Sequence, residues 1–320
     1  YYSTTAGESW IKWTHGFPTV SVKDLVIQER ENDLVIGTFG RAAWILDDIS
    51  PLRAIAKDAQ VLEEPLKVFS PPTAYQASYQ QPTGSRFGAD ATYQGENRAF
   101  GAHISYWYKA TVTSEDKNNA DADAYDNDKN EDLDSDTSGP SKDSIYMTIY
   151  DGDRLIRSLK KKTPDSSGIY KWTWYMNEAG GDSPSRKIRK RKNESSGSDV
   201  KPGIYKIVLS NNGLSTQTLI TVASDPRLDV SQKAIDEGYQ NAKTIQRMTQ
   251  VAADVVKQLV ESKNTVANFS KSLKKQDKNE HKEAITKSTK ISETIENLIA
   301  LYIGKEDKRQ GITRNPDVTV

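Results

Sequence analysis

The chain has 320 residues with 44 basic and 44 acidic side chains, so no net field draws it toward nucleic acid or an anionic membrane. An apolar fraction of 35% and a mean hydropathy of -0.72 are too polar for packed domains throughout, so part of the chain reads as solvated insert. Cysteine is absent, which excludes disulfides, thiolate metal sites and thiol nucleophiles, and His15, His103 and His281 are too scattered to suggest a histidine metal centre or a serine triad.

No apolar run approaches the roughly 18 residues that a membrane helix needs. The length predicts two or three domains. Residues 1–50 read as three or four short strands, the first carrying Trp10 and Trp13. The next are 20–28 with Leu25 and Ile27 on one face, 34–39, and 42–46. Glu31-Asn32-Asp33 and Gly40-Arg41 supply the turn chemistry between them.

Ser3, Gly7, Ser9 and Trp10 stand in the spacing S-x-T-x-G-x-S-W. This resembles the Asp-box hairpin (S-x-D-x-G-x-T-W) of secreted β-propellers, with Thr5 in the aspartate's place. The run Gly37-Thr38-Phe39-Gly40-Arg41-Ala42-Ala43-Trp44-Ile45-Leu46-Asp47-Asp48 is similar to the segment that ends the propeller in bacterial BNR/Asp-box proteins related to the sortilin type. A single blade hairpin cannot bury its own faces. With no initiator Met, the chain is expected to be the C-terminal part of a larger propeller protein, with residues 1–50 as its last blade. On that resemblance the motif residues brace the hairpin. Sialidase-like propellers share the Asp box but catalyse elsewhere, so no catalytic residue carries over.

Residues 51–73 read as a connector, partly apolar through Val61, Leu62, Leu66, Val68 and Phe69. A second β region spans 74–227. Period-2 alternation marks 103–108 and 145–150. Asp151-Gly152 turns the chain back through Leu155, Ile156 and Leu159, and Tyr170, Trp172 and Trp174 line one face of the next strand. Pro202-Gly203 opens a strand over 204–209, and Asn211-Asn212-Gly213 returns it through 216–222. Six or so such strands predict an Ig-like β-sandwich. The order of these pieces, from Gly95, Asn97, Gly101 and Ala102 to the closing Ser224–Arg227, resembles the module that follows the propeller in the same family, and more loosely the Ig-like domain of flagellar hook-capping proteins.

Two inserts interrupt that module, and both are expected to be mobile loops. Residues 113–143 hold eleven Asp or Glu against three Lys, while 177–201 are rich in Gly, Ser, Lys and Arg. From 228 to 320 the period becomes helical. Ile245, Met248, Ala252, Val255, Leu259, Val266, Phe269 and Leu273 recur at steps of three and four, spoiled only by Ser262. Ala284, Ile291, Ile295, Leu298 and Tyr302 do the same around Ser288. This predicts an αα-hairpin with a polar turn at 274–282. Helices over 231–273 and 283–303 would span about 65 and 30 Å, so the first must bend near 262–264 or pack against something else. The fold class is therefore mainly β with a helical C-terminal part: a terminal propeller blade, an Ig-like sandwich and an αα-hairpin.

Candidate sites are few. Asp126-x-Asp128-x-Asn130 opens like a calcium loop, but Glu131 replaces the sixth-position glycine and Thr137 the twelfth-position glutamate, so a solvated acidic loop is the better account. The basic run 186–192 carries six positive charges and reads as partly neutralised by the acidic insert, not as a nucleic-acid site. Among the strand aromatics Tyr106, Trp107, Tyr108, Tyr170, Trp172, Trp174 and Tyr175, half must point inward. Trp107 and Tyr175 lie off the main alternating face and are the candidates for stacking on a sugar. Asp47-Asp48 are adjacent, point to opposite faces in a strand, and favour a structural role over a glycosidase pair. No catalytic, cofactor or metal residue is expected. The role expected is a non-catalytic scaffold and binding region, its partners the preceding blades and a glycan or protein ligand. What the family resemblance implies is an extracytoplasmic location, with a glycoside hydrolase or a sortilin-like receptor as the alternative identities of the whole.

Overall fold

The computed structural model describes residues 1–13, 16–17, 19–77, 98–110, 144–188, 194–276 and 280–305. They are rich in sheet, with a helical C-terminal part. The chain divides into two compact units, one of residues 1–176 with 201–229, the other of residues 177–200 with those from 230 onward.

In the first unit β1 (Val22–Gln28), β2 (Asp33–Thr38) and β3 (Ala43–Leu46) form an antiparallel sheet in that order. The strand expected around Trp10 and Trp13 is reduced to one bridge between Tyr2 and Ile11. The side chains of Ser3 and Thr5 take up the neighbouring backbone N–H groups and hold a tight turn there. After β3 come α1 (Ser50–Lys57), with proline in its first turn, and a 3-10 turn at Ala59–Glu63.

The residues read as a connector carry more structure than their sequence promised. β4 (Leu66–Val68) is a strand, and Leu66, Val68 and Phe69 are buried. It pairs with β6 (Ala102–Tyr108), which in turn pairs with β9 (Gly168–Trp174). A second, five-stranded sheet runs β5 (Ala74–Gln76), β13 (Leu214–Ser224), β12 (Gly203–Asn211), β7 (Ser144–Asp151) and β8 (Arg154–Lys162). Only β5 with β13 is parallel.

The expected alternation holds here. Ile145, Met147 and Ile149 of β7, Tyr205, Ile207 and Leu209 of β12, and Ile220 and Val222 of β13 are all buried. From the three-stranded sheet, Ile104, Tyr106, Trp172 and Trp174 are buried with them, and Trp174 meets the Tyr205 ring edge-on at 5.5 Å between centroids. Asn211 pairs with Leu214 across Asn212-Gly213, both with positive φ, which is the two-residue turn that matches strand twist. Buried Asn211 donates Nδ2–H to the Ser144 carbonyl and to Thr163 Oγ1, both at 3.0 Å.

After β13, Asp225 accepts the Arg227 backbone N–H at 2.9 Å and its Nε–H at 2.8 Å. These bonds, the side-chain one foremost, hold the Asp225 carboxyl down at about 2. A depressed carboxyl contributes stability above its ordinary value of 3.8 and loses it as pH falls through the folded value. The turn is therefore expected to stay closed to about pH 2, read by the Asp225 carboxyl carbon shift in NMR. A midpoint near the ordinary value would contradict this pairing.

In the second unit the mobile-loop expectation for 177–201 fails over the described residues. β10 (Asn177–Ala179) and β11 (Ser196–Asp199) form an antiparallel pair that lies on α2 (Gln232–Lys275). Ser231 caps α2 by accepting the Ala234 N–H, and the helix is continuous through 262–264. α3 (Lys282–Ile303) ends at Gly304 with positive φ. Of the two options for the long helix, the structure shows the second: its first half packs against the strand pair, its second against α3.

The buried row of α2 is not the apolar row read from the sequence but its neighbour. Tyr239, Lys243 and Gln246 bond to the strand pair and Gln250 accepts the Asp182 N–H just past it, and the row continues through Ala253, Val256 and Val260. Val256 and Val260 make a small core with Ile295 and Ile299, flanked by Leu259 and Ile303. Ile245, Met248 and Phe269 lie exposed, and Ala252, Val255, Leu259 and Val266 are half-buried.

Candidate functional site

The turn between Ser3 and Ser9 is held by its own hydroxyls together with the Glu8 N–H to the Thr5 carbonyl at 3.1 Å. Ser3 Oγ accepts the Gly7 N–H at 2.8 Å and the Thr5 N–H at 3.2 Å. Thr5 Oγ1 accepts the Ser9 N–H at 2.9 Å and lies 2.9 Å from Ser9 Oγ. Thr5 thus does with one hydroxyl what a carboxylate would do with two oxygens. Ser3, Gly7 and Ser9 are consumed by the turn, while Trp10 beside it stays exposed. Thr5→Val removes the acceptor without changing shape. The expected cost is about 1 kcal/mol confined to this turn, seen as faster exchange of the Ser9 amide.

A cleft of about 410 Å3 opens beside the β1–β2 turn. Arg30, Glu31, Asp33, Tyr75, Arg98 and His103 line it. Arg98 Nη1 lies 3.2 Å from Glu31 Oε2 and 3.6 Å from Asp33 Oδ2, while Arg30 Nε donates to Glu31 Oε1 at 3.0 Å and its guanidinium lies over the Tyr75 ring. Asp33 Oδ1 accepts the Asp48 N–H at 2.9 Å. Each carboxylate oxygen therefore already faces a donor or a cation, which is the arrangement of a self-neutralising brace. It lacks the unobstructed acid and base that a glycosidase pair needs.

His103 bonds through Nε2 to the Ala99 carbonyl at 2.8 Å and through Nδ1 to Thr173 Oγ1 at 3.1 Å. Burial comes first among the causes that hold it below its ordinary 6.5. A depressed imidazole contributes stability above 6.5 and loses it as pH falls through the folded value.

Asp47 and Asp48 leave β3 before any strand could splay them apart. Asp48 has positive φ and is buried, accepting the Ser50 N–H at 3.0 Å and the Ser105 hydroxyl at 3.3 Å. The Asp47 carbonyl accepts from Lys171 Nζ at 2.8 Å. Both residues tie the end of the small sheet to β6 and β9.

The two stacking candidates do not meet. Trp107 is half-buried and donates Nε1–H to the Glu64 carbonyl at 3.0 Å, whereas Tyr175 is exposed just past the end of β9. Ala102 pairs with Trp174 and Trp107 with Ile169, so the two lie at opposite ends of the strand pair, about 20 Å apart. Tyr106, buried and tilted against Tyr170, has its phenol pushed up to about 12 by burial and by Tyr170, so it serves as core. The aromatics that share one outer face are Tyr146 and Tyr150 of β7, with Lys160 and Lys206 over their rings. On β7 both alternate with buried Ile145, Met147 and Ile149, and the strand register brings the lysines to them.

The calcium-like residues Asp126, Asp128, Asn130, Glu131 and Thr137, and the rest of the acidic insert, lie outside the described residues, as does most of the basic run. Arg186 at the head of that run pairs with a helix: its Nε donates to Glu296 Oε1 at 3.0 Å, and Lys263 Nζ holds Glu296 Oε2 at 2.6 Å. Burial would raise the Glu296 carboxyl, but these two cations outweigh it and leave it below its ordinary range. No group of three or more metal-ligating side chains is present among the described residues, nor any helix long and apolar enough to cross a membrane. Comparison with protein-family models, curated proteins and solved structures found no match.

Proposed function

We propose that this chain is a non-catalytic scaffold and binding region of an exported BNR/Asp-box propeller protein, its first fifty residues the closing blade and its two-sheet core an Ig-like sandwich. One observation carries the reading. The β1–β2–β3 sheet leaves Leu25, Val26 and Ile45 between 56% and 62% exposed on both of its faces and buries none of its strand residues, while the sheets downstream each carry a buried row, such as Ile104 of β6 or Ile145, Met147 and Ile149 of β7. A blade needs neighbouring blades to cover such faces. The self-fastened Ser3–Ser9 turn supports the Asp-box likeness. For the sandwich, support comes from Tyr205, whose hydroxyl donates to the Lys201 carbonyl at 2.6 Å in the manner of a tyrosine corner, while its ring packs on buried Trp174.

The test is an assay of the chain on a panel of chromogenic aryl glycosides, beside Glu31→Gln and Asp33→Asn. The scaffold reading expects no release by any of the three. Release by the wild type that either substitution abolishes would make the cleft a glycosidase site and overturn it.

A further inference from the structure

Within the binding role proposed above, and resting on it, we infer that the cleft beside the β1–β2 turn holds the end of an uncharged glycan, one or two sugar rings. At about 410 Å3 the cleft falls within the roughly 300–1,000 Å3 of pockets that bury small ligands. Its walls are fixed before any ligand arrives. Asn32, at positive φ, accepts the Ile49 N–H through its carbonyl at 2.8 Å and an Arg53 Nη1–H through Oδ1 at 2.9 Å. On the other wall the Ala99 carbonyl accepts from His103 Nε2 at 2.8 Å. Gly101, with φ at 127°, sits where a Cβ would come within 2.9 Å of the Trp174 carbonyl oxygen. Each wall is anchored by the fold itself, which spares a ligand the cost of ordering it.

The charges select the class of ligand. Arg30 and Arg98 balance Glu31 and Asp33, and His103, held below its ordinary range by burial, adds no charge at neutral pH. An anion or a cation would enter a cluster that is already neutral and find no complementary field.

What the cluster keeps is hydrogen-bonding capacity of both kinds, side by side. Among the described residues Arg98 meets the carboxylates through Nη1 and Arg30 through Nε, so Nη2 of Arg98 and both terminal nitrogens of Arg30 retain donors. Glu31 Oε1, Glu31 Oε2 and Asp33 Oδ1 each accept one bond there and have a second lone pair. A sugar hydroxyl donates and accepts at once, and neighbouring hydroxyls on a ring match such fixed, planar carboxylates and guanidiniums. A purely apolar ligand would leave these groups unpaired. Phe100, 44% exposed, and Tyr75, whose ring lies under the Arg30 guanidinium, add the flat apolar surface on which the C–H face of a sugar rests. Donors, acceptors and aromatic surface converge in one neutral cleft.

The test is an NMR titration of the isotope-labelled chain with cellobiose, maltose, lactose and diacetylchitobiose at millimolar concentration, beside glucuronate and glucosamine. At least one uncharged disaccharide is expected to shift the amides of Glu31, Tyr75 and Arg98 saturably, and neither charged sugar to bind as tightly. Phe100→Ala, at an exposed side chain, is expected to weaken that binding about fivefold. Arg30→Gln, which removes the spare donors, is expected to weaken it about tenfold. No saturable shift by any disaccharide, tighter binding of either charged sugar, or binding untouched by both substitutions overturns the site and leaves the scaffold reading standing. Release of monosaccharide from a bound disaccharide overturns the scaffold reading and leaves the sugar site standing.

Discussion

Gly180→Ala and Gly197→Ala are each expected to strip the β10–β11 pair from α2. A Cβ on Gly180 would sit 2.3 Å from the Ser196 carbonyl oxygen, and one on Gly197 2.5 Å from that of Ala179. Both obstacles are backbone, so no side chain can swing aside and the strands must part. The expected cost is about 3 kcal/mol, at the upper end for overpacking. The two changes should not add, because they open one seam. Parting the strands also draws buried Glu178 away from the Tyr239 hydroxyl at 2.5 Å and Lys243 Nζ at 2.9 Å. Amide exchange of Glu178, Ser196 and Asp199 should then accelerate together. The same substitution at Gly238 in α2, with open space around it, should instead stabilise by about 0.5–1 kcal/mol. Equal effects at all three glycines would mean that the strand pair is not fastened as described.

Trp174→Ala is expected to be the most damaging single change in the first unit. The side chain is fully buried and its ring abuts Tyr205 on the facing sheet. Removing a buried aromatic costs about 3–5 kcal/mol, a large share of the roughly 5–15 kcal/mol that holds a domain together. Urea denaturation followed by circular dichroism measures it, and a loss under about 1 kcal/mol would contradict a shared core between the sheets. Trp174→Phe keeps much of the volume and should recover part of the loss.

Trp174 and the strands around it were legible because two signals agree there. Alternation of period two picked out Ile145, Met147 and Ile149 as inward, and Asn212-Gly213 and Gly152 fixed where the chain reverses. What stayed hidden was structure made by polar groups. The Gly and Ser of 177–201 looked like a solvated loop, yet Gly180 and Gly197 are there because two backbones touch. Along α2, Gln246 and Gln250 face inward because what they meet is backbone, the Ala179 carbonyl and the Asp182 N–H, which calls for hydrogen bonds instead of methyl groups. A search for apolar periodicity therefore chose the neighbouring row. β4 was too short to show a period at all.

The candidate site was legible in part. Ser3, Gly7, Ser9 and Trp10 were read from a resemblance as bracing a hairpin; the hydroxyls of Ser3 and Thr5 hold a tight turn there, and Trp10 stands exposed beside it. Asp47 and Asp48 were expected to be structural, though by pointing apart in a strand, whereas Asp48 turns inward at positive φ to hold Ser50 and Ser105. The cleft of Glu31, Asp33, Arg98 and His103 had no sequence signal, since residues about seventy positions apart meet only after β6 docks.

The claim on which the functional reading rests is that the small N-terminal sheet lacks the neighbours its faces need. Residue-resolved hydrogen exchange of this chain tests it most directly. The account predicts that Leu25, Ile27, Val35 and Ile45 exchange through local opening, orders of magnitude faster than Ile104, Met147 and Ile207. Protection of β1–β3 as strong as that of β7 and β12 would contradict it, because the sheet would then be complete by itself.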